Sequence, residues 1–176
     1  TFRSKVSLTS GECTTNSRFV SLSDLNNDGK TDVTISNSNS TLYVFPNQTS
    51  SITAPPSFGS PTILGTVLTG SQTTSVIFGD LDGDGWIDLT TVSASSGAVR
   101  VYRNTTDTPG NTPTFSSSGP VGMTSSPVLV RLADMDGDGR LDIVVANRVS
   151  TNNVTILRNL GMILGGNLAF TVQTFT

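Results

Sequence analysis

The chain has 176 residues, 35 % of them hydrophobic, with 17 glycines and a formal charge of −3, enough for one domain with a sizeable core. Its 10 basic residues are scattered singly, which argues against nucleic acid or an anionic membrane surface as partner. The absence of histidine excludes Ser-His-Asp and Cys-His catalysis and histidine-ligated zinc.

From the N-terminus, a repeat opens at Phe2, and Cys13 stands alone, so no internal disulfide framework exists. A buried free thiol and an intermolecular bridge both remain open for it. Next comes an acidic stretch, Asp24-Leu25-Asn26-Asn27-Asp28-Gly29-Lys30-Thr31-Asp32, followed by the β-branched run Val33–Ser36. A strand around Leu42–Phe45 closes this first repeat.

The second repeat reads most cleanly. A strand around Thr62–Leu68 leads through Gly70-Ser71 to a second, Ser75–Phe78. Asp80-Leu81-Asp82-Gly83-Asp84-Gly85-Trp86-Ile87-Asp88 follows, then a strand over Ile87–Ser93, a turn at Ser95-Ser96-Gly97 and a fourth strand, Ala98–Arg103. The third copy of the acidic stretch is Asp134-Met135-Asp136-Gly137-Asp138-Gly139-Arg140-Leu141-Asp142, with strand-like Ile143–Ala146 behind it. In the fourth strands Leu42/Val44, Val99/Val101 and Val154/Ile156 recur two apart, as one face of a strand demands. Nothing in the pattern is helical.

The three acidic stretches define the chemistry. Eleven of the 13 acidic residues lie in them; only Glu12 and Asp107 lie elsewhere. Each stretch carries oxygen-bearing side chains at positions 1, 3, 5 and 9 and glycine at position 6. Such carboxylates repel one another unless a cation sits among them. Calcium takes six to eight oxygens at about 2.3–2.6 Å, and alternate residues of a tight turn point inward to supply them. The expected ligands are Asp24, Asn26, Asp28 and Asp32; Asp80, Asp82, Asp84 and Asp88; and Asp134, Asp136, Asp138 and Asp142. Lys30, Trp86 and Arg140, at position 7, would contribute backbone carbonyls, which explains why their side chains vary. Asn26 removes one charge from the first loop, so that site is expected to be the weakest. Asn27, replacing glycine at position 4, keeps the turn because asparagine tolerates positive φ.

An EF-hand would place an acid at position 12 and helices on both sides. Position 12 is instead Ile35, Thr91 and Val145, in strand-like runs. A strand, then D-x-[DN]-x-D-G-x-x-D, then a strand, every 54 to 56 residues, resembles the FG-GAP/VCBS repeats of integrin-α-type β-propellers. Phe78-Gly79 even shows the "FG" before the second loop. The resemblance implies an all-β fold of three four-stranded antiparallel blades in a partial propeller or open array, each with a calcium in the loop between its second and third strands. Phe2, Phe58, Phe115 and Phe170 divide the single domain into blades of about 2–57, 58–114 and 115–169. Residues 170–176 are left as a stub strand starting a further blade.

The expected function is a secreted or cell-surface scaffold or adhesion module holding three Ca²⁺, with no catalytic residues. Its expected partners are other copies of itself or further blades of a longer chain, and an extracellular protein or glycan. Alternatives are a lectin-like carbohydrate-binding module, against which Trp86 has no aromatic counterpart at Lys30 or Arg140, and a non-catalytic accessory module of a secreted enzyme. No apolar run approaches the roughly 18 residues of a membrane span and no signal peptide opens the chain, so the sequence reads as a mature secreted form or an excised piece. Calcium sites of the extracellular type, with Kd about 10⁻⁴–10⁻³ M, point outside the cell. Asn39, Asn47, Asn104 and Asn153 head N-glycosylation sequons, all expected to be exposed, though with 51 serines and threonines about four arise by chance.

Overall fold

The computed structural model describes residues 8, 17–38, 41–66, 73–117, 119–149, 153–163 and 166–175. Among them, every regular element is a β-strand and every pairing is antiparallel. The first sheet holds β1 (Ser17–Ser23), β2 (Asp32–Asn37), β3 (Thr41–Phe45) and β4 (Thr62–Thr66), in that order. The second runs β5 (Thr73–Gly79), β6 (Asp88–Ser93), β7 (Ala98–Asn104) and the short β8 (Phe115–Ser116), with β9 (Pro120–Met123) also paired to β7. The third comprises β10 (Pro127–Ala133), β11 (Asp142–Asn147), β12 (Val154–Ile163) and β13 (Asn167–Phe175).

The sheets stand side by side, with β5 packed between β1 and β10. Each first strand carries an irregularity at the same relative place, between Ser17 and Phe19, Thr73 and Ser75, and Pro127 and Leu129. The core lies between sheets rather than inside one. Leu42 of the first sheet clusters with Val76, Leu89 and Tyr102 of the second. Val92, Val99 and Val101 of the second cluster with Val130, Ile143, Val145 and Leu157 of the third. Removing apolar surface from water at about 25 cal/mol per Å² is what joins one repeat to the next.

The division into blades shifts by one strand from the sequence reading. The strand at Thr62–Thr66, expected to open the second repeat, pairs with β3 through Tyr43↔Ile63 and completes the first sheet. The phenylalanines show why. Phe58 bridges Asn47, Phe115 pairs with Asn104, and Phe170 pairs with Asn159. Each therefore marks the chain returning along the third strand of its own sheet. The acidic loop consequently joins the first and second strands of a sheet, not the second and third. Residues 170–175, set aside as a stub, belong to β13 and pair along β12 from Asn159↔Phe170 to Val154↔Phe175. Phe2, Glu12, Cys13 and Asn39 lie outside the described residues.

Candidate metal centre

The three loops fold to one design. The position-1 carboxylate is the hub: Oδ2 of Asp24, Asp80 and Asp134 accepts the amide of Gly29, Gly85 and Gly139 at 2.8, 2.9 and 2.9 Å. Those position-6 glycines have φ of 79°, 85° and 86°, a region that a β-carbon makes costly. Asn27 stands at φ 53° where the other loops have glycine, as its tolerance of that region predicts. Oδ1 of each position-5 aspartate accepts the amide of Lys30, Trp86 or Arg140 at 2.9 Å. Half-exposed Lys30 and Trp86 and exposed Arg140 thus sit at the loop rim.

Position 9 has a second duty that the sequence did not disclose. Asp32, Asp88 and Asp142 are fully buried. Their Oδ2 atoms accept the amides of Leu25, Leu81 and Met135 at 2.9 Å. Their Oδ1 atoms accept the amides of Asn47, just past β3, Asn104, at the end of β7, and Asn159, within β12, at 2.7, 2.8 and 2.8 Å. Burial pushes the Asp88 carboxyl up to about 7 and raises that of Asp32, against the pull of these amides. Exposed Asp134 is held below the usual carboxylate range, chiefly by the Gly139 amide.

The donor set fits a hard cation. One carboxylate oxygen each from Asp80, Asp82 and Asp88 lies within 4.8 Å of the others, and the same holds for Asp134, Asp136 and Asp138. In the first loop the Asn26 side chain is buried, and its Oδ1 has no hydrogen-bond partner. A buried acceptor without a donor costs about 1–3 kcal/mol, and a cation there would remove that cost. Beyond the effect of burial, Asp28 and Asp24 lie near enough to Asp32 to add to the rise of its carboxyl by charge repulsion.

Two residues that the sequence reading missed face these acids. Arg103 of β7 pairs with Asp82 and, at 3.2 Å, with Asp84. Arg158 of β12 pairs with Asp136 and, at 3.7 Å, with Asp138, which Arg140 also contacts. In the first loop Lys30 pairs with Asp28 at 3.2 Å. The signal was present: Arg103-Asn104 and Arg158-Asn159 hold equivalent positions, whereas the first repeat reads Pro46-Asn47.

Two of those asparagines, Asn47 and Asn104, head sequons that imply exposure. Asn104 is only 1 % exposed, not exposed as its sequon suggested. Its Nδ2 donates to the carbonyls of Leu25 in the preceding sheet's loop, at 2.8 Å, and Ile87, at 3.0 Å. Its Oδ1 accepts from Thr106, so the threonine of that sequon closes a local turn. Asn47 is half-buried, with Nδ2 on the Thr31 carbonyl at 2.9 Å and Oδ1 on the Thr49 amide. Asn159 donates to Leu81 in the second sheet's loop and to Leu141. Asn153 is exposed. Asp107, outside the loops, is exposed and accepts from Asn111.

Antiparallel sheets repeated side by side, each with a carboxylate-rich loop between its first two strands and tied to its neighbour by a buried asparagine, define an all-β repeat module. A family model described as FG-GAP-like repeat matches residues 24–91 and 90–145, more than half of the chain. The chain belongs to that family of FG-GAP-like repeats. No curated protein matches it.

Proposed function

We propose that this chain is a calcium-binding module of β-propeller type, serving outside the cell as a scaffold or adhesion element. Repeats of this family are typically extracellular, generally non-catalytic, and often bind Ca²⁺. The observation that carries the calcium reading is the convergence of Asp80, Asp82 and Asp88 oxygens within 4.8 Å, repeated by the third loop's aspartates. The orphaned Asn26 Oδ1 extends it to the first loop. In each loop positions 1, 3, 5 and 9 would hold the ion, with the carbonyl of Lys30, Trp86 or Arg140. The ion would supply charge neutralisation and stiffness, and the chain would supply the cage. The role is mechanical: a rigid row of sheets whose surfaces present contacts to extracellular protein or glycan.

The test is thermal unfolding with calcium and with EDTA, beside calorimetric titration. At roughly millimolar calcium and Kd near 0.1 mM, each site stabilises by about 1.4 kcal/mol. Three sites give about 4 kcal/mol, a large part of a typical total of about 5–15. Chelation should lower Tm by many degrees. Identical melting curves in calcium and EDTA would refute the calcium reading.

A further inference from the structure

The three loops divide into two kinds by what holds their carboxylates. In the second loop both oxygens of Asp80 and Asp88, and Oδ1 of Asp82 and of Asp84, accept main-chain amides. Oδ2 of Asp82 and Oδ2 of Asp84 remain, and Arg103 of β7 takes both, through Nε and, at 3.2 Å, through Nη2. The third loop repeats the arrangement. Amides hold both oxygens of Asp134 and Asp142 and Oδ1 of Asp136 and Asp138. Oδ2 of Asp136 and Oδ2 of Asp138 face Arg158 of β12, the second at 3.7 Å, and Arg140 also pairs with Asp138.

The first loop has no such arginine, because the residue before Asn47 is Pro46. Asp28 Oδ2 pairs at 3.2 Å with Lys30, from within the loop, and Asn26 Oδ1, at position 3, is buried without a partner. In the other two loops the strand fixes the arginine in place: the next amide, of Asn104 or Asn159, is bound at 2.8 Å to the buried aspartate at position 9. The Asp82 side chain is only 1 % exposed, and a carboxylate so buried is costly without a cation on it.

We infer that Arg103 and Arg158 are tethered counter-cations of the second and third loops, holding the position-3 and position-5 carboxylates when calcium is scarce and leaving them when it binds, while the first loop, which has none, depends on calcium for its order. The inference rests on the calcium reading above. Each arginine must let go of its Oδ2 atoms before they can turn to an ion, so these loops bind more weakly than four aspartates alone would. The charges level accordingly. Three aspartates with Lys30 in the first loop match four aspartates with Arg140 and Arg158 in the third, so charge no longer ranks the first loop below the third.

The experiment is amide hydrogen exchange of the full chain in EDTA and in calcium, with calcium titrated calorimetrically into the same proteins. In EDTA the Gly29 amide should exchange faster than those of Gly85 and Gly139, and calcium should slow it most. Arg103→Gln should speed exchange at Gly85 in EDTA and leave Gly139 unchanged, and Arg158→Gln should do the reverse. Each variant should bind calcium about tenfold more tightly at its own loop, since no charged hydrogen bonds have to be released there. Equal protection of the three glycines in EDTA, a variant that speeds both Gly85 and Gly139 or neither, or calcium binding that is unchanged or weaker at the altered loop would each overturn the inference. A wild type that binds no calcium at any loop refutes the calcium reading and this inference with it, whereas calcium that binds regardless of the arginines refutes the inference alone.

Discussion

Replacing Asn104 with alanine tests the tie between sheets directly. The substitution strips the donor from two carbonyls, Leu25 at 2.8 Å and Ile87 at 3.0 Å, and opens the turn that its Oδ1 makes with Thr106. The Leu25 bond lies in buried surroundings, and an unsatisfied buried acceptor costs about 1–3 kcal/mol. With the second carbonyl and the turn included, the expected loss is about 3–5 kcal/mol. Asn47→Ala is the internal control. It removes the own-loop bond and the turn but, among the described residues, no bond to another sheet, so it should cost about 1–2 kcal/mol less. Urea unfolding of both variants in calcium, at concentrations where the chain is monomeric, reads the difference as a shift in midpoint at constant slope. Equal losses at the two sites, or an Asn104→Ala loss below about 0.5 kcal/mol, would refute the assignment of the tie.

Burial raises the Asp88 carboxyl from 3.8 to about 7, so between those values the folded chain holds a proton that the unfolded chain has released. In chelator, its stabilising contribution should be complete at the acid end of that window and lost as pH rises through about 7. The urea-midpoint difference between wild type and Asp88→Asn should follow that fall, and a difference that grows with pH would contradict it. Arg103→Gln should destabilise the calcium-free protein while tightening calcium at the second loop, since Arg103 pairs with Asp82 and Asp84; calorimetry showing weaker binding would count against this placement. Gly79→Ala would bring a Cβ to 2.6 Å from Leu132 Cδ1 and 2.9 Å from Leu141 Cδ1. It should cost about 1–3 kcal/mol by overpacking, read from Tm, and a neutral result would mean the two sheets separate easily there.

The loops were legible in the sequence because their geometry is local. Gly29, Gly85 and Gly139 announce the positive φ at position 6, and Asn27 takes at position 4 the place that Gly83 and Gly137 hold in the other loops. The strands behind each loop were legible from β-branched residues such as Val33, Thr91 and Val145. The joint between sheets was not. A period fixes the length of a repeat but not where one sheet ends, and Thr62–Thr66 has the same composition whichever neighbour it pairs with. Only long-range pairing, Tyr43↔Ile63, decides it. Asn104 illustrates the same limit: its sequon suggests a surface, while its burial depends on Leu25, 79 residues away.

The ties made by Asn104 and Asn159 end on main-chain oxygen, at Leu25 and Leu81. A carbonyl is the same on every residue, so the contact is blind to what the loop carries at its second position, leucine here and methionine in the third copy. This hydrogen bond therefore needs no matched pair of side chains, and side-chain matching falls to the apolar core, where Leu81 itself packs between the second and third sheets. Duplication, deletion or exchange of a whole unit would leave the fastening intact, and a gene encoding such units can change its number of copies without inventing a new seam.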